Sequence, residues 1–174
     1  MMKFDSHTTD KDLGAKELLK QVEAFNRASV DTGLFEGEKH PGSEFTIAEI
    51  GSVNEFGSKD GHVPERSWLR RAAREYALKW RRYIDQGLDR VVNGKGKVKA
   101  LPVLLFIGEQ IASDVRRTIN EVTEPPKAPA TLAHEGKRFT HPLIWLGYMR
   151  AAVRSRVKVR HGSPTMTPKA AVRS

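Results

Sequence analysis

Residues 47–70 read IAEIGSVNEFGSKDGHVPERSWLR, and this stretch decides the fold. Ile47, Ile50 and Val53 recur every third position, which puts them on one face of a short helix starting near Thr46. Asn54-Glu55-Phe56-Gly57 closes that helix, with Gly57 free to take a positive φ after the last turn. Lys59-Asp60-Gly61 is a turn signal, and Pro64 suits the first turn of a second helix. The expected product is a rigid corner presenting Phe56 and Trp68 with Arg66, Arg70 and Arg71, residue types that anchor protein contacts. Phe56 is expected to pack between the two helices of the corner.

Upstream of this corner, Leu13, Leu18, Leu19, Val22 and Phe25 place a first helix over residues 12–27. Residues 29–35 read as a short strand, and residues 36–43 as a polar loop holding the turn His40-Pro41-Gly42. Downstream, a long helix over residues 64–92 carries Leu69, Ala72, Ala73, Tyr76, Trp80, Tyr83, Ile84 and Leu88 on one stripe. Asn93-Gly94-Lys95-Gly96-Lys97 breaks it. Another helix follows over residues 100–122, with Leu101, Leu104, Leu105, Ile111, Val115 and Ile119 directed inward, and Pro125-Pro126 beyond its end. Residues 130–135 suit one helical turn, and the apolar residues 143–149 a turn of helix or a bend. Residues 154–160 alternate strictly between basic and small or apolar side chains, the signature of a strand with one basic face.

The expected class is therefore α+β: a small antiparallel or mixed sheet packed against two long helices. One domain is expected over residues 1–162, with a flexible basic tail over residues 163–174. The 174 residues are 39% hydrophobic and 29% charged, a globular composition. No cysteine is present, so neither a disulfide framework nor a thiolate metal site can form. No run of apolar residues is long enough to span a bilayer, and the N-terminus lacks an apolar signal core. A soluble protein made inside a cell is the expectation.

The net charge of +9 is unevenly placed. Residues 131–174 hold nine Lys or Arg against one acid, whereas the rest of the chain holds 21 bases and 20 acids. A solvated strand with a mobile tail would look like this, and so would a surface that meets phosphate or an acidic partner. Arg154, Arg156, Lys158 and Arg160 are the candidates for contact with a DNA channel or an acidic partner.

Catalytic chemistry is sparsely represented. The six histidines (His7, His40, His62, His134, His141, His161) lack metal-ligand spacing. Gly94-Lys95-Gly96-Lys97 lacks the spacing of a phosphate loop and follows a helix where that motif needs a strand. Glu109 and Asp114 read as solvated helix charges, and no serine sits in a nucleophile elbow. No catalytic residue, metal or cofactor is expected. Tyr76, Trp80 and Tyr83 read as core, while Trp68, Trp145 and Tyr148 divide evenly between core and interface.

Two blocks carry a family resemblance. One is Asn54-Glu55-Phe56-Gly57 with Val63-Pro64-Glu65-Arg66-Ser67-Trp68-Leu69-Arg70. The other is Ala128-Pro129-Ala130-Thr131 followed by Pro142-Leu143-Ile144-Trp145-Leu146-Gly147-Tyr148-Met149-Arg150-Ala151-Ala152-Val153. Together they resemble the tailed-phage neck and virion-morphogenesis proteins of the HK97 gp10-like and Mu-like morphogenesis type. Ser67 departs from the proline typical there, and Trp145-Leu146 from an Asp-Thr pair. The resemblance spans roughly residues 15–160. It implies a structural virion protein, not an enzyme, that joins or completes head and tail as a ring of six or twelve copies. Its neighbours would be portal-adaptor or connector proteins and tail-tube or tail-terminator proteins. Arg66, Trp68, Arg70, Arg71, Trp145, Tyr148 and Arg150 are the interface candidates. A small DNA-binding protein acting through the basic C-terminal segment is the alternative.

Overall fold

The computed structural model describes residues 14–136, 140–144 and 146–159. In chain order it holds α1 (Ala15–Asn26), β1 (Ala28–Gly33), α2 (Ile47–Phe56), α3 (Leu69–Asn93), α4 (Ala100–Glu121), α5 (Pro129–Glu135), α6 (Tyr148–Ala152) and β2 (Arg154–Val159). The class is α+β in a single domain, with a two-stranded antiparallel sheet. Ala28 pairs with Val159 and Gly33 with Arg154, so the strands are matched along their full length. Trp145, Arg160 and the tail at 163–174 lie outside the described residues.

The short connection between α3 and α4 folds them back as an antiparallel hairpin, the most extensive helix–helix packing of the molecule. Two apolar clusters lie along it. One end holds Trp68, Ala72, Val115, Ile119 and Val122 with Leu143, Met149 and Val153. The other holds Val91, Ala100, Val103, Leu104 and Ile107 with Phe25 of α1. Helix α4 thus lies between α3 on one side and the sheet on the other.

The sheet comes close to α4 because position 108 has no side chain. A Cβ on Gly108 would stand 2.6 Å from Ser155 Oγ, 2.8 Å from Ser155 Cβ and 3.0 Å from Val30 Cγ1. Gly87 does the same for the helix pair, where a Cβ would stand 2.6 Å from Ile107 Cδ1. Glycine within a helix costs stability, and here that cost is exchanged for close approach of neighbouring elements.

Several expectations are corrected. The long helix begins at Leu69 rather than at Pro64, because its first amides are capped from elsewhere in the chain. Its buried stripe is narrow: only Ala72, Gly87 and Val91 are fully covered, and Ala73 and Ile84 are exposed. In α4, Leu104, Val115 and Ile119 point inward as expected, but Leu101 and Leu105 face solvent. Phe56 is not sandwiched between helices; it is 62% exposed with the Arg70 guanidinium 4.7 Å above its ring. Asp114 is not a solvated charge. It is 2% exposed, and accepts hydrogen bonds from Lys79 Nζ at 2.6 Å and Trp80 Nε1 at 3.1 Å. That hydrogen bond from the ammonium, opposed by partial desolvation, raises the pKa of Lys79.

Substituting Gly108→Leu should lower stability by about 1–3 kcal/mol, since the sheet must move off the helix. The urea midpoint reads this directly, and a variant as stable as the parent would contradict the packing described here.

Candidate partner interface

The corner at residues 47–70 is organised around one carboxylate. Helix α2 opens with a capping box, Thr46 Oγ1 accepting from Glu49 N–H and Glu49 accepting from Thr46 N–H. It ends at Phe56, and Gly57 turns the chain with φ +77°. The turn that follows is held by Asp60, which accepts from Ser58 Oγ at 2.5 Å and from His62 N–H at 3.1 Å. These two hydrogen bonds hold the Asp60 carboxyl at a pKa of about 2.

Glu55, on the last turn of α2, is 3% exposed. Its Oε2 accepts from the amides of Trp68 and Leu69, each at 2.7 Å. Its Oε1 accepts from the Arg70 amide at 3.0 Å, from Arg70 Nε at 2.8 Å and from Ser67 Oγ at 3.0 Å. Glu55 therefore caps α3 from a different helix, in place of the Trp68 side chain, which cannot. Negative charge at a helix N-terminus is also favoured by the helix dipole. Burial alone would raise the Glu55 carboxyl, but the Leu69 amide, the Arg70 guanidinium and the other amides outweigh it and hold it below the usual range.

Arg66 and Trp68 support the corner from inside. Arg66 Nε donates to the Pro125 carbonyl at 2.7 Å and Nη2 to the Pro126 carbonyl at 2.8 Å, tying the corner to the segment that leads into α5. Burial pulls the Arg66 pKa down. Trp68 is 3% exposed, and its indole N–H donates to the Gly51 carbonyl at 3.1 Å. A Cβ on Gly51 would stand 2.2 Å from Leu34 Cδ1, so any side chain there would displace Leu34. Both residues are thus buried supports whose polar groups engage the chain itself: Trp68 falls on the core side of its two readings, and Arg66 is corrected from an interface candidate.

The remaining candidates are scattered. Arg70 is half exposed, bonded to Glu55, to Glu65 at 2.8 Å and lying over Phe56. Arg71 pairs along α3 with Glu75 at 2.8 Å. Tyr148 is half-buried, edge-on to His40 at 5.3 Å between centroids. Arg150 is exposed and reaches Asn120 Oδ1 at 3.4 Å. The corner and the Tyr148–Arg150 turn do share one side of the molecule, since α2 packs against α6.

The basic strand face is partly neutralised. Arg154, Arg156 and Lys158 are all exposed, as the alternation predicts. Yet Asp31 on β1 stands opposite Arg156, 3.7 Å from its Nε and 2.5 Å from Lys158 Nζ. Arg154 pairs with Glu38 at 2.9 Å, and the Arg156 guanidinium lies 4.0 Å above the Phe35 ring. The Lys158 hydrogen bond leads in holding Asp31 below the usual carboxylate range, against partial desolvation. Among the described residues, two acids therefore offset three bases on this face.

Surface that sequence reasoning missed is apolar. Phe45, Ile50, Val53 and Val63 line a groove of about 610 Å³ beside α2. On α4, Leu101, Leu105 and Phe106 are about half exposed. The signal was present: the first turns of α4 are apolar all the way round, and a helix flanked on two sides buries only part of its circumference. No protein-family model matches the chain, and no curated protein or solved structure matches it either.

Replacing Glu55 with alanine leaves several buried amides without an acceptor and should cost about 3 kcal/mol. The folded pKa of Glu55 lies below its unfolded value. Its stabilisation is therefore complete above about pH 4.3 and fades as the pH falls through the folded pKa. Glu55→Gln should accordingly lose less stability than the parent between neutral and acid pH, as followed by thermal melts. Parallel pH profiles for the two proteins would contradict this role.

Proposed function

We propose that this chain is a structural protein of a tailed-phage virion that assembles as a ring at the neck, where it joins or completes head and tail. The observation that carries the reading is how the two resemblance blocks meet. Asn54, Glu55, Arg66, Trp68 and Arg70 form one hydrogen-bonded corner. That corner grips the Pro125 and Pro126 carbonyls immediately ahead of the second block, and α2 packs on α6 within that block. Residues widely separated in sequence thus serve a single structural unit, as expected if the resemblance reflects a common scaffold.

On this reading nothing turns over. The corner and the α3–α4 hairpin hold complementary surfaces rigid, toward other copies in a ring of six or twelve and toward connector and tail-tube or terminator proteins. A ring requires contacts that are heterologous and close on themselves. Among the described residues no helix is long and apolar enough to cross a membrane. Asp31 and Glu38 already engage the strand's cations, which lowers its attraction for DNA and for an acidic neighbour alike.

Negative-stain imaging of particles from a phage carrying a nonsense mutation in this gene tests the reading. DNA-filled heads with detached or abnormally long tails are the expected result, and normal infectious particles would overturn it. For the DNA-binding alternative, the salt dependence of duplex binding is decisive. If the strand contacts phosphate, Asp31→Asn with Glu38→Gln should steepen the slope of log affinity against log salt by up to about two. An unchanged slope is the result expected for a strand that does not meet DNA.

A further inference from the structure

We propose that copies of this chain join head to tail, with the exposed α4 ridge of one copy seated in the groove beside α2 of the next. The contact rests on the ring reading above and names the two faces that would form it.

Among the described residues, two groups of large exposed apolar side chains stand apart from each other. The groove is formed by Phe45, Ile50, Val53 and Val63, with Phe45 62% and Val53 40% exposed. The ridge is formed by Leu101 and Leu105, one helical turn apart, and Phe106 beside them at 57% exposure. Large apolar side chains grouped in this way on a small protein mark contact surfaces.

Their placement lets one copy use both faces at once. Helix α3 starts against the corner that holds the groove, and the 25 residues of α3 span about 37 Å. The chain then turns, and the ridge occupies the first two turns of α4, at the far end of the hairpin. Trp68 and Val122 meet at the groove end, whereas Val91 and Ala100 meet at the ridge end. Two apolar faces at opposite ends of one rigid body are the geometry of a heterologous contact, in which every copy uses both.

Charge selects the same pairing. Around the groove, Glu44, Glu49, Asp60 and Glu65 are exposed, against Lys59 alone among residues 44–65. Around the ridge, Arg90, Lys95, Lys97 and Lys99 are exposed, against one exposed acid among residues 90–109, Glu109, a turn beyond Leu105 and 3.7 Å from Arg116. Glu65 pairs with Arg70 and Lys99 with Glu17, which trims the contrast without reversing it. Groove against groove, or ridge against ridge, would bring like charges together, whereas groove against ridge brings opposite ones.

The absence of cysteine gives a clean test. Purified full-length Val53→Cys and Leu105→Cys chains are mixed and mildly oxidised, with Arg81→Cys, on an exposed turn of α3, as the control. The mixture should give a disulfide-linked dimer of the two variants, and each variant alone no more dimer than the control. A chain carrying both substitutions should give a ladder of linked copies. Phe45→Cys with Phe106→Cys is a second pair, and circular-dichroism melts before oxidation establish that each variant is folded. Homodimers of one variant in excess of the mixed product would overturn the proposal in favour of a contact between like faces. No linkage above the control would overturn it too, the outcome if another part of this chain covers the ridge. A neck defect in the mutant particles without linkage discards these two faces alone. Linkage with normal particles discards the neck reading and keeps the contact.

Discussion

The Glu55 carboxylate, sunk in an apolar corner and surrounded by the first amides of α3, is the constraint on which the rest of the structure depends. A helix leaves its first four amides without partners, and α3 begins with Trp68, Leu69 and Arg70, none of which can supply an acceptor at the cap position. Glu55 fills that need from α2, thirteen residues upstream of Trp68. The same bonds fix the angle between α2 and α3, the burial of Trp68 and the place where Arg66 reaches the Pro125 and Pro126 carbonyls. A single buried charge so surrounded is stabilised by the groups that it orients.

The second long helix uses the same device. Lys99 at the start of α4 offers no acceptor, and the Ala100 amide instead donates at 2.9 Å to Gln21 Oε1 on α1. Gln21 is held in turn by Glu17, which also receives Lys99 Nζ at 2.6 Å. Each long helix is thus anchored at its N-terminus by a side chain from a shorter one. The hairpin is consequently fixed at both ends, and the apolar surfaces that it leaves uncovered sit on a rigid frame.

Arginines and aromatics in the same short stretch divide between two jobs. Arg66 and Trp68 turn inward, while Arg70 and Phe56 stay at the surface, stacked on each other. Two positions of separation in sequence thus decide between support and surface. The basic strand shows a similar division, because its cations face outward as the alternation requires but meet Asp31 and Glu38 from other segments. Charge counted along the chain overstates what a partner would meet.

Sequence by itself determined the first five helices to within a few residues, the two strands, the turn at Gly57 and the α+β class, but not α6. These follow from periodicity, glycine and proline, which act within a few residues. It also determined the outward basic face of β2, since alternation is a local property of a strand. Only the tertiary structure decided where α3 begins, that Asp114 is buried against Lys79 and Trp80, and that Leu101, Leu105 and Phe106 stay exposed. Each of these depends on what stands beside a residue after folding. A cap from thirteen residues away or a partner helix leaves no mark in the local pattern of the chain, and the apolar first turns of α4 do not say which flank stays uncovered.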